Sequence, residues 1–511
     1  MKFKIYTIAI IMSLSVIMFS TSSFIEVSAQ EGDDFKEIEK YLETEMINSI
    51  LPGMAVGIVK NGHIVYTKAF GKADEIGTPM TVSSPNLLAS VSKAFTALAV
   101  MQLNESGKIQ LDAKVIDYVP WFRMANKSAS DQITVRYLLH QLSGITTETG
   151  IKYIAHDQPQ SKEEFIQGIM MDSLHCTPGT KYDYSNANFI LLGLIIEMVT
   201  GKSFEDYVQI NILNKLNMTN SYLLTTGEST IRNVQWYRLF YGLQIPINDI
   251  KNPVYNPAGG VVSTAYDMCK YMIAQLNYGK YGSNSILSPE GMVKLHSLTE
   301  NFDGQTKYAM GWVNTTLNGV PVLTHSGGDI GAATQIFLAP DDGKGNSWGV
   351  FVMMNSYNFV TSLLTQYRIA ENTMNMLLEK PTLHVISPVL VYIVLDIIII
   401  IITASVIRDL IKLKKKGVNF FPKCDSRRKK ISMAVYKTTD DILVGILILL
   451  LVPPLAGIFT GYGPTSIDMV MWIVPDLMFW GALMGFLLLV SGSYKILLAY
   501  QFLTSENTEE S

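Results

Sequence analysis

Ser90 and Lys93 stand at positions i and i+3 in Ser90-Val91-Ser92-Lys93, and on a helix that spacing puts both side chains on one face. A serine hydroxyl is a weak nucleophile until a base within hydrogen-bond reach takes its proton. A lysine enclosed by apolar groups can lose enough of its basicity to act as that base. Leu87-Leu88-Ala89 and Ala94-Phe95 supply such surroundings, which argues against an ordinary solvated helix face. The positive end of the helix dipole favours an oxyanion nearby. A second group, Tyr184-Ser185-Asn186, precedes an apolar helix-like run. A phenol there can relay a proton to a leaving group, and an amide can bind both a lysine and a substrate carbonyl. The third group is His325-Ser326-Gly327-Gly328, after the strand-like Val320-Pro321-Val322-Leu323. Polar residues followed by glycines on an edge strand allow a substrate backbone to come close. Together these types suit nucleophilic catalysis by a serine.

The elements that must hold these groups are legible on either side of them. Met54 to Val59, Asn61-Gly62 and His63 to Tyr66 form a hairpin pattern, because Asn-Gly accepts the positive φ angles of a tight turn. Ser90 to Leu103 and Phe189 to Val199 have helical apolar spacing, the second closed by Thr200-Gly201. Gly349 to Met354 reads as a buried strand and Ser362 to Leu378 as a helix. Strands at both ends with helices between them predict an α+β domain whose terminal strands share a sheet.

Hydrophobic residues make up 48% of the chain and charged residues 16%, and the apolar excess is concentrated at the two ends. Lys2 and Lys4, the apolar Ile5 to Phe19 and the small residues Val27-Ser28-Ala29 read as an export signal over residues 1–29. Residues 30–380 form the enzyme-sized domain. Residues 381–511 hold apolar stretches near 385–407, 442–460 and 470–490, each long enough to cross a bilayer. The loop from Arg408 to Lys437 carries eleven Lys or Arg against two Asp, or +9, which leaves −13 on the rest of a chain whose net charge is −4. Basic loops stay on the cytoplasmic side, so the domain before it is expected outside the cell. A nucleic-acid role for this loop is disfavoured by its place between two spans. Asp396 and Asp476 lie within spans, where a hydrogen bond tying anchor helices together is the expected use.

Three cysteines, Cys176, Cys269 and Cys424, lie far apart and make no disulfide framework. Seven histidines without a His-Glu-x-x-His motif or clustered cysteines give no zinc site, and no glycine-rich phosphate loop is present. No metal or cofactor is expected. His63, His140, His156, His175 and His296 are read as structural or exposed.

The three groups, in this order, resemble the active-site signature of the penicillin-recognising serine hydrolases, the serine β-lactamases and penicillin-binding proteins. His-Ser-Gly stands where Lys-Thr-Gly is usual, as in many relatives of class C β-lactamases and DD-peptidases. Leu138 to Gly144, Asn256 to Thr264 and Tyr308 to Trp312 are similar to further segments of that family. The resemblance implies a β-lactamase/transpeptidase-like fold, with an antiparallel sheet flanked by helices and a helical region. It makes Ser90 the acylated nucleophile, Lys93 its base and Tyr184 a second acid/base. Asn186, His325, Ser326 and Gly328 become substrate-binding positions, Ser185 and Ser326 the weaker ones, and the N–H groups of Ser90 and Gly328 an oxyanion hole. The implied substrates are D-amino-acid-containing peptides. Alternatives are removal of an acyl-D-amino-acid leader in an antibiotic pathway, β-lactam or ester hydrolysis, and a β-lactam receptor that scarcely turns over. Membrane lipid is the other expected partner.

Overall fold

The computed structural model describes residues 24–25, 35–153, 159–224, 234–248, 252–297, 308–357, 362, 365–421, 427–459 and 475–504. It divides into two compact units, one made mainly of residues 24–389 and the other mainly of residues 390–511. Most of the expected leader, residues 460–474, His156 and Cys424 lie outside the described residues.

The first unit is α+β. Its main sheet contains β1 (Gly53–Lys60), β2 (His63–Gly71), β3 (Val313–Leu317), β4 (Val320–Asp329), β5 (Ala332–Ala339) and β6 (Trp348–Met354). The spatial order is β3-β4-β5-β6-β1-β2, antiparallel throughout. The N-terminal hairpin and the C-terminal strands therefore share one sheet, as the sequence pattern predicts. The hairpin closes through Asn61 at φ 49° and Gly62 at φ 79°, both in the left-handed region that favours these two residue types.

Alternate side chains of β1 enter different cores. Met54, Val56 and Ile58 pack with Val350, Val352 and Met354 beneath α1 (Lys36–Asn48), through Ile38 and Leu42, and beneath the C-terminal helix Gln366–Leu377, through Ile369 and Met374. Ala55 and Val59 join Phe351, Met353, Ile336 and Leu338 in the larger core on the other face. That core also holds α2 (Ser92–Glu105), α3 (Asn186–Thr200) and α4 (Ala265–Leu276). Each large side chain sealed this way contributes ~1.5–3 kcal/mol. Gly57 is what lets α4 approach the sheet, since a Cβ there would lie 2.4 Å from Cys269 Sγ. α3 is buried nearly all round from Ala187 to Ile196, as expected for a helix with no polar face. It ends at Gly201, φ 66°, in a left-handed cap.

Among the described residues of the second unit, two helices are long and apolar enough to cross a membrane, Pro388–Phe420 with mean hydropathy 2.9 and Met478–Thr504 with 1.8. The middle expected span falls within the helix Arg427–Phe459, and the last lies in the helix Pro475–Thr504 except for residues 470–474, outside the description. Ile393, Ile397, Ile400 and Ile401 point outward, a surface suited to hydrocarbon. The helices around Gly445 and Gly485 pack closely, with a Cβ on Gly485 falling 2.6 Å from Leu449, the small-residue contact that favours helix association in lipid. A carboxylate linking these two helices is Asp441, which pairs with Lys495 at 2.7 Å and accepts from Ser491 Oγ at 2.6 Å. Asp476 accepts from Tyr241 N–H at 3.1 Å.

Candidate active site

The chain reaches Ser90 through a deliberate bend. Asn86–Leu87 pairs with Val262–Ser263, and Leu88 N–H donates to Val261 O at 2.8 Å. Ala89 then takes φ 46°, a left-handed conformation that costs a non-glycine residue about 1–2 kcal/mol. The bend turns the backbone into a single 3-10 turn, Ala89–Val91, which runs into α2. Ser90 therefore sits at the mouth of α2 rather than inside it, one turn earlier than the helix proper.

Lys93 is fully buried. Its Nζ lies 2.8 Å from Asn186 Oδ1, 2.7 Å from Ala258 O and 3.3 Å from Ser90 Oγ. Burial holds its pKa well below the ordinary 10.5, because the low-dielectric interior disfavours the ammonium form. A neutral amine has two N–H bonds and one lone pair. Two oxygens that can only accept take the two hydrogens, and the remaining neighbour is a hydroxyl with a proton to give. The geometry thus leaves the lone pair for Ser90.

The Tyr184-Ser185-Asn186 group is clamped by the Leu138 to Gly144 segment. Gln141, buried and at φ 61°, accepts Ser185 N–H at 3.0 Å and Asn188 Nδ2 at 2.5 Å on Oε1, while its backbone O accepts Asp183 N–H at 3.0 Å. Ser143 Oγ donates to Asn188 Oδ1 at 2.6 Å. Ser185 Oγ donates to Thr146 O at 2.8 Å, so this hydroxyl is engaged in holding the loop. The Tyr184 ring stands with its centroid 4.8 Å from Lys93 Nζ and meets the Tyr308 ring edge-on at 6.1 Å.

The third group lies on β4, which is an inner strand along half its length. Pairing with β3 ends at Val313 opposite Thr324, so the edge that faces away from β5 is open from His325 to Asp329 among the described strands. The expectation of an edge strand holds only for this segment, because β3 stops short. His325 is buried, with Nδ1 2.8 Å from Ser326 O and Nε2 3.1 Å from Tyr308 Oη. A carbonyl can only accept, which assigns the ring proton to Nδ1 and leaves Nε2 to accept from Tyr308. Burial holds the His325 pKa well below its ordinary value, so it presents a neutral ring. Gly327 presses on the nucleophile segment: a Cβ there would lie 2.2 Å from Leu88 O and 2.3 Å from Thr334 Oγ1. Thr334 Oγ1 itself donates to Leu88 O at 2.7 Å. Ser326 and Gly328 follow on the same strand, both partly exposed.

The structure brings Ser90, Lys93 and Asn186 within hydrogen-bond reach, with Tyr184 and His325 around them. Sequence reasoning passed over Gln141, Tyr308 and the Ala258 carbonyl as working parts. Gln141 and Ala258 did lie in segments singled out for their resemblance, and so did Tyr308, which gave a location without a role. His140 is buried, with Nδ1 3.2 Å from Tyr308 O and its pKa lowered to about 4 by burial. His296 is held by Gln275 Oε1 at 2.8 Å, while His63 and His175 are exposed. No group of three metal-ligating side chains occurs among the described residues.

A model of the Beta-lactamase family matches residues 38–371. Protein flp from Staphylococcus aureus (strain N315) is 28% identical over 374 residues, covering 68% of this chain and 72% of that protein. Unguisins hydrolase ungD' from Aspergillus campestris is 26% identical over 312 residues, 57% of each chain. Among solved structures, the octameric penicillin-binding protein homologue from Pyrococcus abyssi superposes with a TM-score of 0.57 at 27% identity, covering 68% of this chain and 78% of that one.

Proposed function

We propose, from the premise that the chain belongs to the beta-lactamase family, that it is a serine hydrolase working through an acyl-enzyme on Ser90. Its substrates in this reading are D-amino-acid-containing peptides met on the outer face of a membrane, to which the C-terminal helices tether it. The observation that carries the chemistry is the fully buried Lys93, with one acceptor from Asn186, one from Ala258 and Ser90 Oγ at 3.3 Å. A relative named as a hydrolase, and a penicillin-binding protein homologue at 27% identity, support the serine-hydrolase reading.

In this mechanism the substrate backbone lies along the open edge of β4 from His325 to Asp329. Lys93 takes the Ser90 proton as Oγ attacks the scissile carbonyl. The N–H groups of Ser90 and Gly328 receive the developing oxyanion, a contribution worth about 3–4 kcal/mol per donor in comparable sites. Tyr184 passes a proton to the leaving group, and water then cleaves the ester with the roles reversed. The apolar C-terminal helices and the basic loop support the outward placement of the domain.

The test is intact-mass spectrometry after a fluorophosphonate, followed by a screen of D- and L-amino-acid peptides, acyl-D-asparagine peptides, esters and a chromogenic β-lactam. One adduct is expected, absent in Ser90→Ala, with turnover confined to D-configured peptides. Equal labelling of Ser90→Ala would remove Ser90 from the mechanism, and a single-equivalent burst with the β-lactam and no peptide turnover would favour the receptor.

A further inference from the structure

Behind the catalytic lysine lies a buried polar cluster that the mechanism above does not use. Lys162, with its side chain 8% exposed, reaches Glu197 Oε1 at 2.9 Å and Glu205 Oε1 at 3.1 Å. Glu197 Oε1 also accepts the Phe204 N–H at 3.0 Å, at the start of the short helix Phe204–Val208 that carries Glu205. Glu205 Oε1 accepts from Asn256 Nδ2 at 2.8 Å, and the same amide nitrogen donates to Leu224 O at 2.8 Å. Asn256 is 1% exposed and opens the one-turn helix Asn256–Gly259. The packing leaves this turn no slack. A Cβ on Gly260 would fall 2.0 Å from Asn256 Oδ1, and one on Gly193 of α3 would fall 2.3 Å from Pro257 Cγ.

The two carbonyls that follow Asn256 both grip α2. Pro257 O accepts from Thr96 Oγ1 at 2.7 Å, and Ala258 O accepts from Lys93 Nζ at 2.7 Å. Residues 93 and 96 are one helical turn apart on one face, so the Asn256–Gly259 turn holds the lysine's helix and the lysine's amine together. A carboxylate ion pair is an expensive way to support a turn, since removing charges from water costs several kcal/mol per ion. Placing it against the residue that aims Ala258 O gives the expense a use.

We propose that Glu205, anchored by Lys162, and Asn256 are positioning residues for the acylation step: they fix the Ala258 carbonyl so that it takes one hydrogen of Lys93 and leaves the lone pair directed at Ser90. They touch neither substrate nor the reacting atoms. The proposal rests on the acyl-enzyme reading above. The groups around the lysine amine are Ser90 from the 3-10 turn before its helix, Tyr184 just ahead of α3, Asn186 from the start of α3, His325 from β4 and the Ala258 carbonyl.

The experiment compares full-length wild type with Glu205→Ala, Asn256→Ser and the conservative Glu205→Gln, by the rate and pH dependence of Ser90 acylation with a fluorophosphonate. Only the folded fraction is counted, defined by protection of the buried Cys269 thiol from a thiol reagent. Glu205→Ala and Asn256→Ser are expected to lower the maximal acylation rate about 10- to 100-fold, as small misplacements of reacting groups do, with the half-saturating probe concentration unchanged. The acidic limb of the rate profile should move to higher pH as water reaches the amine and relieves its desolvation. Glu205→Gln, which keeps an oxygen for Asn256, should stay within about threefold of wild type on the same reasoning. Folded variants acylating at the wild-type rate, or with an unmoved acidic limb, would overturn the positioning role. Absence of any Ser90 adduct in the wild type would instead overturn the acyl-enzyme reading.

Discussion

A base that must be neutral to work leaves a thermodynamic trace, and Lys93→Met is the substitution that exposes it. In the unfolded chain the lysine is protonated at neutral pH, with an ordinary value of 10.5. Burial lowers that value in the fold, so keeping the amine neutral there weighs against folding at pH 7. Methionine has nearly the same length and no such cost. It also leaves Asn186 Oδ1 and Ala258 O without their donor, a loss of about 1–3 kcal/mol for each. The two effects oppose each other at pH 7, so the variant should be inactive while losing less stability than the two orphaned acceptors alone would cost.

The sign is carried by the pH dependence. Because the folded pKa is lowered, the unfolded state binds more protons in the window below 10.5, and wild-type stability rises with pH there. The Lys93→Met chain lacks that term. From pH 7 to pH 9 the wild type should therefore gain stability relative to the variant, by at most one proton's worth at ~1.36 kcal/mol per pH unit. Cys269 provides a readout confined to the first unit, since it is fully buried against Gly57. Its urea-dependent labelling, located by peptide mass in a Cys176→Ser background, gives the unfolding midpoint of that unit at each pH. Parallel curves for wild type and variant across this window would mean a protonated Lys93 in the fold, and the general-base role would fall with it.

Gly327→Ala should cost about 1–3 kcal/mol through overpacking and lower acylation about 100-fold, because the new Cβ would lie 2.2 Å from Leu88 O and push β4 off the nucleophile segment; wild-type acylation by this variant would show that β4 and Ser90 are not closely coupled. For the membrane arrangement, Cys424 on the basic loop should resist an impermeant thiol reagent in intact cells and react after permeabilisation, while a Ser466→Cys label should behave oppositely. Labelling of Cys424 from outside would refute the topology.

What could be read beforehand was whatever local chemistry dictates. Asn61-Gly62 demands a left-handed turn, the apolar runs Met54 to Val59 and Gly349 to Met354 read as strands, and Ser90 with Lys93 share a face on any helix. The bend at Ala89 could not be read, because alanine has no preference for φ 46° and only packing beneath Leu88 imposes it. Gln141 looks like any polar loop residue until its side chain is seen holding both Ser185 and Asn188. Asp441 and Lys495 were invisible as a pair because nothing in sequence predicts which helices lie side by side. The same limit applies to Lys162, Glu205 and Asn256, which come from three separate segments.

These blind spots share a cause that bears on how the site works. Lys93 can be a base only if its two hydrogens are taken by oxygens that cannot donate, and those oxygens belong to α3 and to the Asn256–Gly259 turn, neither of which is part of its own helix. The nucleophile's base therefore exists only where three elements are docked together. Loosening any one of them would admit water, restore the ammonium form and remove the lone pair from Ser90. An isolated Ser-x-x-Lys helix would be inert for that reason, and the close contact at Gly193 follows from it, because it keeps α3 against the Asn256–Gly259 turn.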